Sequence, residues 1–199
     1  MPTSREQPKA PPPLVVHLVR HAEACDDDGV DAHGPRLTSR GRRQAHYVAK
    51  RLARERYAGI YSSDLTRARQ TADAIALHHD DDLVTVTRDL REVSDYHSAL
   101  RLSRLTVHHD RSLVDEQEAM KRMVGHFRHI HSGGQKILVV SHGNLTRSLI
   151  PLLGGLDPAR APLIEIHNAS LSIVHVWSTG HAVVLLANCT AHIPERLIT

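Results

Sequence analysis

The sequence predicts an α/β domain, a three-layer α/β/α sandwich with a mostly parallel central sheet and one antiparallel edge. Three observations carry this. Two short apolar runs, residues 14–19 and 137–140, each stop at a histidine, at His21 and His142. Strand-like runs alternate with helical stretches, the pattern of a domain built around a parallel sheet. The last two strand-like runs, 171–177 and 183–187, flank a Ser178-Thr179-Gly180 turn and read as a hairpin.

Residues 1–13 hold five prolines among polar residues and read as a poorly ordered tail, so the domain is placed at 14–199. The run Leu14-Val15-Val16-His17-Leu18-Val19 is too short and too β-branched for a helix and suits a buried strand. Residues 25–36 contain four aspartates and two glycines and form a loop. Asp26, Asp27 and Asp28 lack the spaced ligands of a calcium loop and read as a solvated turn. Thr38 is the N-cap of a helix running to about residue 56, with Ala45, Val48, Ala49, Leu52 and Ala53 on its inner face.

Gly59-Ile60-Tyr61 is a short strand, and Ser62, Ser63 and Asp64 offer caps for a second helix with Leu65, Ala68, Ala72, Ile75 and Ala76 inside. Arg67 falls in that helix's first turn, where a cation opposes the helix dipole and an anion nearby would offset the cost. His78-His79-Asp80-Asp81-Asp82 has no partner cluster with metal-ligand spacing and reads as a turn. A strand at 83–87 leads into Arg88-Asp89-Leu90-Arg91-Glu92. A weakly helical stretch, 98–110, precedes a stronger helix at 112–130, closed by Gly133 and Gly134. Strand 137–140, a helix from Asn144 to about residue 153, and a further strand at 163–166 precede the hairpin.

With 199 residues the chain can bury a full core without disulfides or metal. Two cysteines, Cys25 and Cys189, suit a reducing cytoplasm but leave a single bridge open. No run approaches membrane-span length and none resembles a signal peptide, so a cytoplasmic protein without membrane contact is expected. The formal charge is +3, yet only 3% of residues are aromatic, which argues against single-strand nucleic-acid binding and for a small anionic substrate. A homodimer is compatible with the sequence.

Arg20, His21, Arg67, Glu92 and His142 each lie at or just past a strand end, where ligand sites of open α/β sheets form. A phosphomonoester dianion needs forked or charged donors around its oxygens, and arginines supply them. A histidine can attack phosphorus through one ring nitrogen while a carbonyl holds the other. A protonated carboxyl group can then supply the leaving alkoxide's proton and later act as base on water. Arginines and a second histidine can carry the charge stabilisation, so no metal or cofactor is expected.

These motifs, in this order, resemble the histidine phosphatase superfamily, the phosphoglycerate mutase-like proteins. Leu18-Val19-Arg20-His21 is similar to the family's Arg-His motif, which implies that His21 is the phosphorylated nucleophile and Arg20 a phosphate ligand. Leu37-Thr38-Ser39-Arg40-Gly41, with Gln44-Ala45, is similar to the family's helix opening. Ser62-Ser63-Asp64-Leu65-Thr66-Arg67-Ala68-Arg69-Gln70-Thr71-Ala72 resembles the stretch whose first arginine binds phosphate, which implies Arg67. Leu90-Arg91-Glu92 resembles the proton-donor position, and Ser141-His142-Gly143 the second histidine motif, followed here by Asn144 as a substrate-side candidate. Asn168-Ala169-Ser170 resembles the family's late asparagine turn. The chain departs from the family at Ala22, where glycine is usual. The phosphate-touching Thr and Asn after the first motif are missing, with Arg36 as a substitute contact. Val93-Ser94-Asp95-Tyr96-His97 leaves Asp95 competing with Glu92 as the acid.

The resemblance implies a metal-independent phosphomonoesterase acting on a small phosphorylated metabolite through phospho-His21. Phosphoglycerate mutase-type transfer is the alternative, and a non-catalytic phospho-ligand binding protein on the same fold is the third.

Overall fold

A computed structural model of the chain describes residues 11–25, 33–79, 84–93, 111–156 and 164–199. The 98–110 stretch, Asp95 and most of the acidic loop lie outside the described residues.

The elements follow in order: β1 (Leu14–Arg20), α1 (Ser39–Leu52), β2 (Gly59–Ser63), α2 (Thr66–Ala76), β3 (Val84–Thr87), a 3-10 turn (Arg88–Leu90), α3 (Arg111–Ile130), β4 (Lys136–Ser141), α4 (Gly143–Leu153), β5 (Leu171–Val176), β6 (Ala182–Cys189) and a last 3-10 turn (Glu195–Leu197). The strands form one sheet in the order β3-β2-β4-β1-β5-β6. The first four strands are parallel, β5 runs antiparallel to β1, and β6 antiparallel to β5.

The central strands carry near-continuous apolar runs because both faces of the sheet are covered. Along β4 the side chains alternate. Ile137 and Val139 join Val16 and Leu18 against α3 and α4, through Met120, Phe127, Leu145 and Leu149. Leu138 and Val140 join Val19 and Ile60 against α1 and α2, through Val48, Leu52, Ala72 and Ile75. Each fully buried Leu, Ile or Val contributes about 1.5–3 kcal/mol relative to exposure. The chain steps outward from β1 to β3 with α1 and α2 on one face, then reverses, so right-handed crossovers place α3 on the other.

Helix α1 starts as expected, with Thr38 Oγ1 accepting from Gly41 N at 2.9 Å. It ends at Leu52 rather than near residue 56. For α2 the expected serine and aspartate caps are not used: Leu65 is the N-cap and no side chain caps it. Residues 164–166 are not a strand; Arg20 and Arg147 hold that backbone instead, donating to the Ile166 and Ile164 carbonyls. The hairpin turn is closed by Gly180 at φ +85°, a conformation that glycine adopts without strain. Cys25 and Cys189 are both free.

Gly41 packs α1 against the chain just after β1. A Cβ built there would lie 1.9 Å from the Glu23 carbonyl oxygen, which is backbone and cannot rotate away. Gly41→Ala is therefore expected to cost at least the ~1–3 kcal/mol typical of overpacking. Thermal unfolding reads it, and an unchanged Tm would show that the loop after β1 yields freely.

Candidate active site

Parallel pairing of β1 with β4 puts Arg20 opposite Ser141, so His21 and His142 leave the sheet side by side. The ladder extends one bond further, His21 N donating to Ser141 O at 2.8 Å. The imidazoles meet edge-on with centroids 5.1 Å apart. On the far side of β4, β2 ends at Ser63, whose Oγ pairs with His142 Nε2 at 2.9 Å. Ser63 Oγ also accepts from Leu65 N. Its own proton can therefore go to Nε2, which makes Nδ1 the N–H of His142.

His21 has a defined tautomer. Its Nδ1 lies 2.8 Å from the Ala22 carbonyl, which can only accept, so Nδ1 carries the proton. Arg67 Nε donates to His21 Nε2 at 3.0 Å, so Nε2 presents a lone pair. Both rings are held neutral. Burial pushes His21 down to about 3, partly opposed by the Ala22 hydrogen bond and reinforced by Arg67 and Arg20. Burial likewise holds His142 far below the ordinary histidine range, with His21, Arg67 and Arg20 adding to it.

Arg20 donates to Ile166 O at 2.5 Å, which fixes the guanidinium. Among the described residues, its buried Nε and the buried Nδ1 of His142 have no hydrogen-bond partner. Burial lowers both Arg20 and Arg67, with Glu92 pulling the other way on each. Arginine remains charged under such shifts. The site thus gathers two guanidinium groups and two neutral imidazoles, an arrangement that favours an anion.

Glu92 stands exposed at the rim. Its Oε1 accepts from Leu145 N at 3.1 Å, in the first turn of α4, and from Val93 N at 3.2 Å. Crowding by protein pushes its carboxyl above the ordinary range, while those N–H groups, Arg20 and Arg67 pull it down. Solvent access limits the rise. Asn144 sits beside it, donating to Val93 O at 3.3 Å and accepting from Arg147 at 3.2 Å. Arg36 is exposed, its carbonyl bonded to Cys25 N, and among the described residues none of the other candidates bonds to its side chain.

Four residues that the sequence reading names, but to which it gives no role at the site, support it. Thr71 Oγ1 accepts from Ala22 N and donates to Arg67 O, joining the His21 loop to α2. Gln44 is fully buried and spans from Glu23 N to the Leu197 carbonyl. Asn168 Nδ2 donates to His21 O at 3.0 Å, while Ala169, at φ 54°, donates its N–H to the Arg20 and His21 carbonyls. Ser63 is the fourth. For Thr71 and Gln44 a signal was present, since each is a polar residue on an otherwise apolar helix stripe.

Fold and site together define an α/β protein that presents paired histidines and arginines to an anion at the carboxyl edge of its sheet. The family model for the histidine phosphatase superfamily (branch 1) matches residues 16–189. A probable phosphoglycerate mutase, GpmB, of Yersinia enterocolitica is 31% identical over 205 aligned positions, covering 90% of this chain and 95% of that one. The chain belongs to the histidine phosphatase superfamily. Two solved structures share its fold. A mycobacterial glucosyl-3-phosphoglycerate phosphatase has a TM-score of 0.69 at 23% identity, covering 89% of this chain and 99% of its own. A phosphoserine phosphatase of Entamoeba histolytica, in complex with 3-phosphoglyceric acid, has a TM-score of 0.70 at 21% identity, covering 91% and 100%. Among the described residues, no helix is long and apolar enough to cross a membrane.

Holding histidines neutral makes stability depend on pH. His17, bonded to Tyr57, is lowered by burial to about 4, and His21 to about 3, from an unfolded value of 6.5. Below pH 6.5 the unfolded chain binds more protons than the folded one. Stability is therefore full above 6.5 and falls as pH drops toward those folded values, by about 1.4 kcal/mol per pH unit for each histidine. Denaturant unfolding between about pH 6.5 and 5, where carboxylates titrate little, should show a shallower slope in His21→Gln than in wild type. Equal slopes would mean that His21 is not held neutral.

Proposed function

We propose that the protein is a metal-independent phosphomonoesterase for a small phosphorylated metabolite, working through a phosphohistidine on His21. The observation that carries this reading is the His21 tautomer: a neutral ring with its proton tied to Ala22 O and its Nε2 lone pair facing a guanidinium. A nucleophile in that state needs no base to activate it.

The steps follow from the donors present. A phosphoryl dianion takes Arg20, Arg67 and His142 Nδ1 as partners, and Arg67 Nε moves from Nε2 to a phosphoryl oxygen. Nε2 attacks phosphorus as the ester P–O bond breaks, and the leaving alkoxide takes the proton of Glu92. Water then attacks the phosphohistidine, giving its proton to Glu92 as the N–P bond breaks, and inorganic phosphate leaves. Arginine and imidazole N–H groups stabilise the equatorial charge at each transfer. Asn144 is assigned to the alcohol side of the substrate, and Arg36 to the phosphate contact otherwise missing from the loop after β1. Asp95 is the alternative acid. The substrate class has support from the solved structures sharing the fold, which act on small phosphorylated molecules by name.

A second reading, phosphoglycerate mutase-type transfer, is favoured by the name of the Yersinia relative. In it the phosphohistidine returns its phosphoryl group to an acceptor hydroxyl instead of water, and activity requires a bisphosphate primer.

Chelator-treated wild type is expected to hydrolyse an aryl phosphate, and His21→Ala to lose that activity. Activity that survives in the variant, or that needs added metal, would sink the mechanism. Glu92→Gln is expected to slow alkyl phosphates about a hundredfold or more, within the range for general acid catalysis, and to slow an aryl phosphate with a good leaving group far less. Equal slowing would remove Glu92 from the acid role.

A further inference from the structure

The connection between β2 and α2 reaches each reactive group of the site. Ser63 pairs with His142, Arg67 with His21, and between them Asp64 faces the loop that carries Glu92. The Asp64 carboxylate takes Arg91 in a two-pronged pair, Nε to Oδ1 at 2.7 Å and Nη2 to Oδ2 at 2.8 Å. Arg88 approaches at 3.6 Å and His33 at 3.8 Å. The Asp64 side chain is only 12% exposed, and Arg91, the first cause, holds it below the usual carboxylate range.

We propose that Asp64 is a positioning residue for Glu92, acting through Arg91. The chain entering Glu92 is fixed at two points. Leu90 is fully buried in the core. Arg91 is the residue immediately before the acid, and a forked guanidinium-carboxylate pair fixes orientation as well as distance. Among the described residues, Glu92 itself is anchored through Oε1, by Leu145 N and Val93 N. Placing its second oxygen against a leaving group therefore depends on the peptide that the clasp holds. Arg91 is partly exposed, so the pair adds little to global stability. Its effect is on geometry, where a displacement of about 1 Å costs on the order of a hundredfold in rate.

The inference rests on Glu92 being the proton donor, and the experiment separates the two claims. Asp64→Asn, Arg91→Gln and the double variant are assayed on an alkyl phosphate and on an activated aryl phosphate. The Glu92 carboxyl is also titrated by carbon NMR in wild type, Asp64→Asn and Arg91→Gln, its signal identified by its loss in Glu92→Gln. Each single variant is expected to lose about tenfold or more on the alkyl ester and less than about twofold on the aryl ester. The double variant should be no worse than the singles, because one contact is removed in all three. The Glu92 titration should shift the same way in both single variants, because the same contact is lost, whereas loss of charge alone would lower it in Asp64→Asn, which frees the Arg91 cation, and raise it in Arg91→Gln, which frees the Asp64 carboxylate. Asp64→Glu, which keeps the charge, should recover part of the alkyl rate. Equal losses on both esters, or Glu92 titrations that stay unchanged or shift in opposite directions in the two single variants, would overturn the proposal. Shifts in the same direction in both single variants, in a protein that hydrolyses neither ester, would uphold the positioning while the phosphatase reading failed.

Discussion

The hydrogen-bonded register of β1 against β4 is the constraint on which the site depends. It sets Arg20 opposite Ser141 and extends one bond past the strand, so that two histidines emerge as neighbours. A slip of one residue would reverse the face of every side chain on β1. It would also carry Leu18 and Val19 each into the opposite core layer and take His21 out of step with His142. The register is secured from both sides, because Leu18 and Val139 belong to one core layer and Val19 and Val140 to the other. Packing of ordinary aliphatic residues thus fixes the distance between two groups that take no part in that packing.

Charge is the second theme. Two arginines lie against two imidazoles in a buried setting, and the protein resolves the conflict by keeping both rings neutral. The same burial that makes an imidazolium costly leaves Nε2 of His21 with its lone pair. Glu92 is treated the opposite way, its carboxyl raised by crowding while the arginines work against that rise. Neighbouring groups pushed toward their neutral forms from opposite directions are the usual basis for dividing nucleophile from acid.

Much of this was legible in the chain itself. The runs 14–19 and 137–140 are apolar but for His17 and are followed by polar residues, so strand, direction and edge could all be read, and the resemblance of the motifs did the rest. Of the run 163–166, which looks like a strand from Leu163, Ile164 and Ile166, the described part, 164–166, is not one. Its backbone is satisfied by the side chains of Arg20 and Arg147, which no local pattern reveals. The α2 cap was misread for a related reason: Ser63, a good cap by type, is turned toward His142. Long-range bonds from side chain to backbone decide both cases. Gln44 and Thr71 were within reach, as polar residues set into apolar stripes. The Asn168-Ala169 turn could be placed in the family's order, but its hold on the His21 carbonyl appears only when the chain ends of β1 and β5 are seen together.

The unpartnered Arg20 Nε and His142 Nδ1 have a consequence for turnover. A buried donor without an acceptor costs about 1–3 kcal/mol, a cost that a tetrahedral oxyanion bonded to both would relieve. On the phosphatase reading, the groups that recognise the phosphoryl end of the substrate meet the same oxygens on the inorganic product. Such an enzyme is throttled by its own product: emptying the cradle competes with chemistry as the slow step. Its working rate is then set by the inorganic phosphate around it as much as by the supply of substrate.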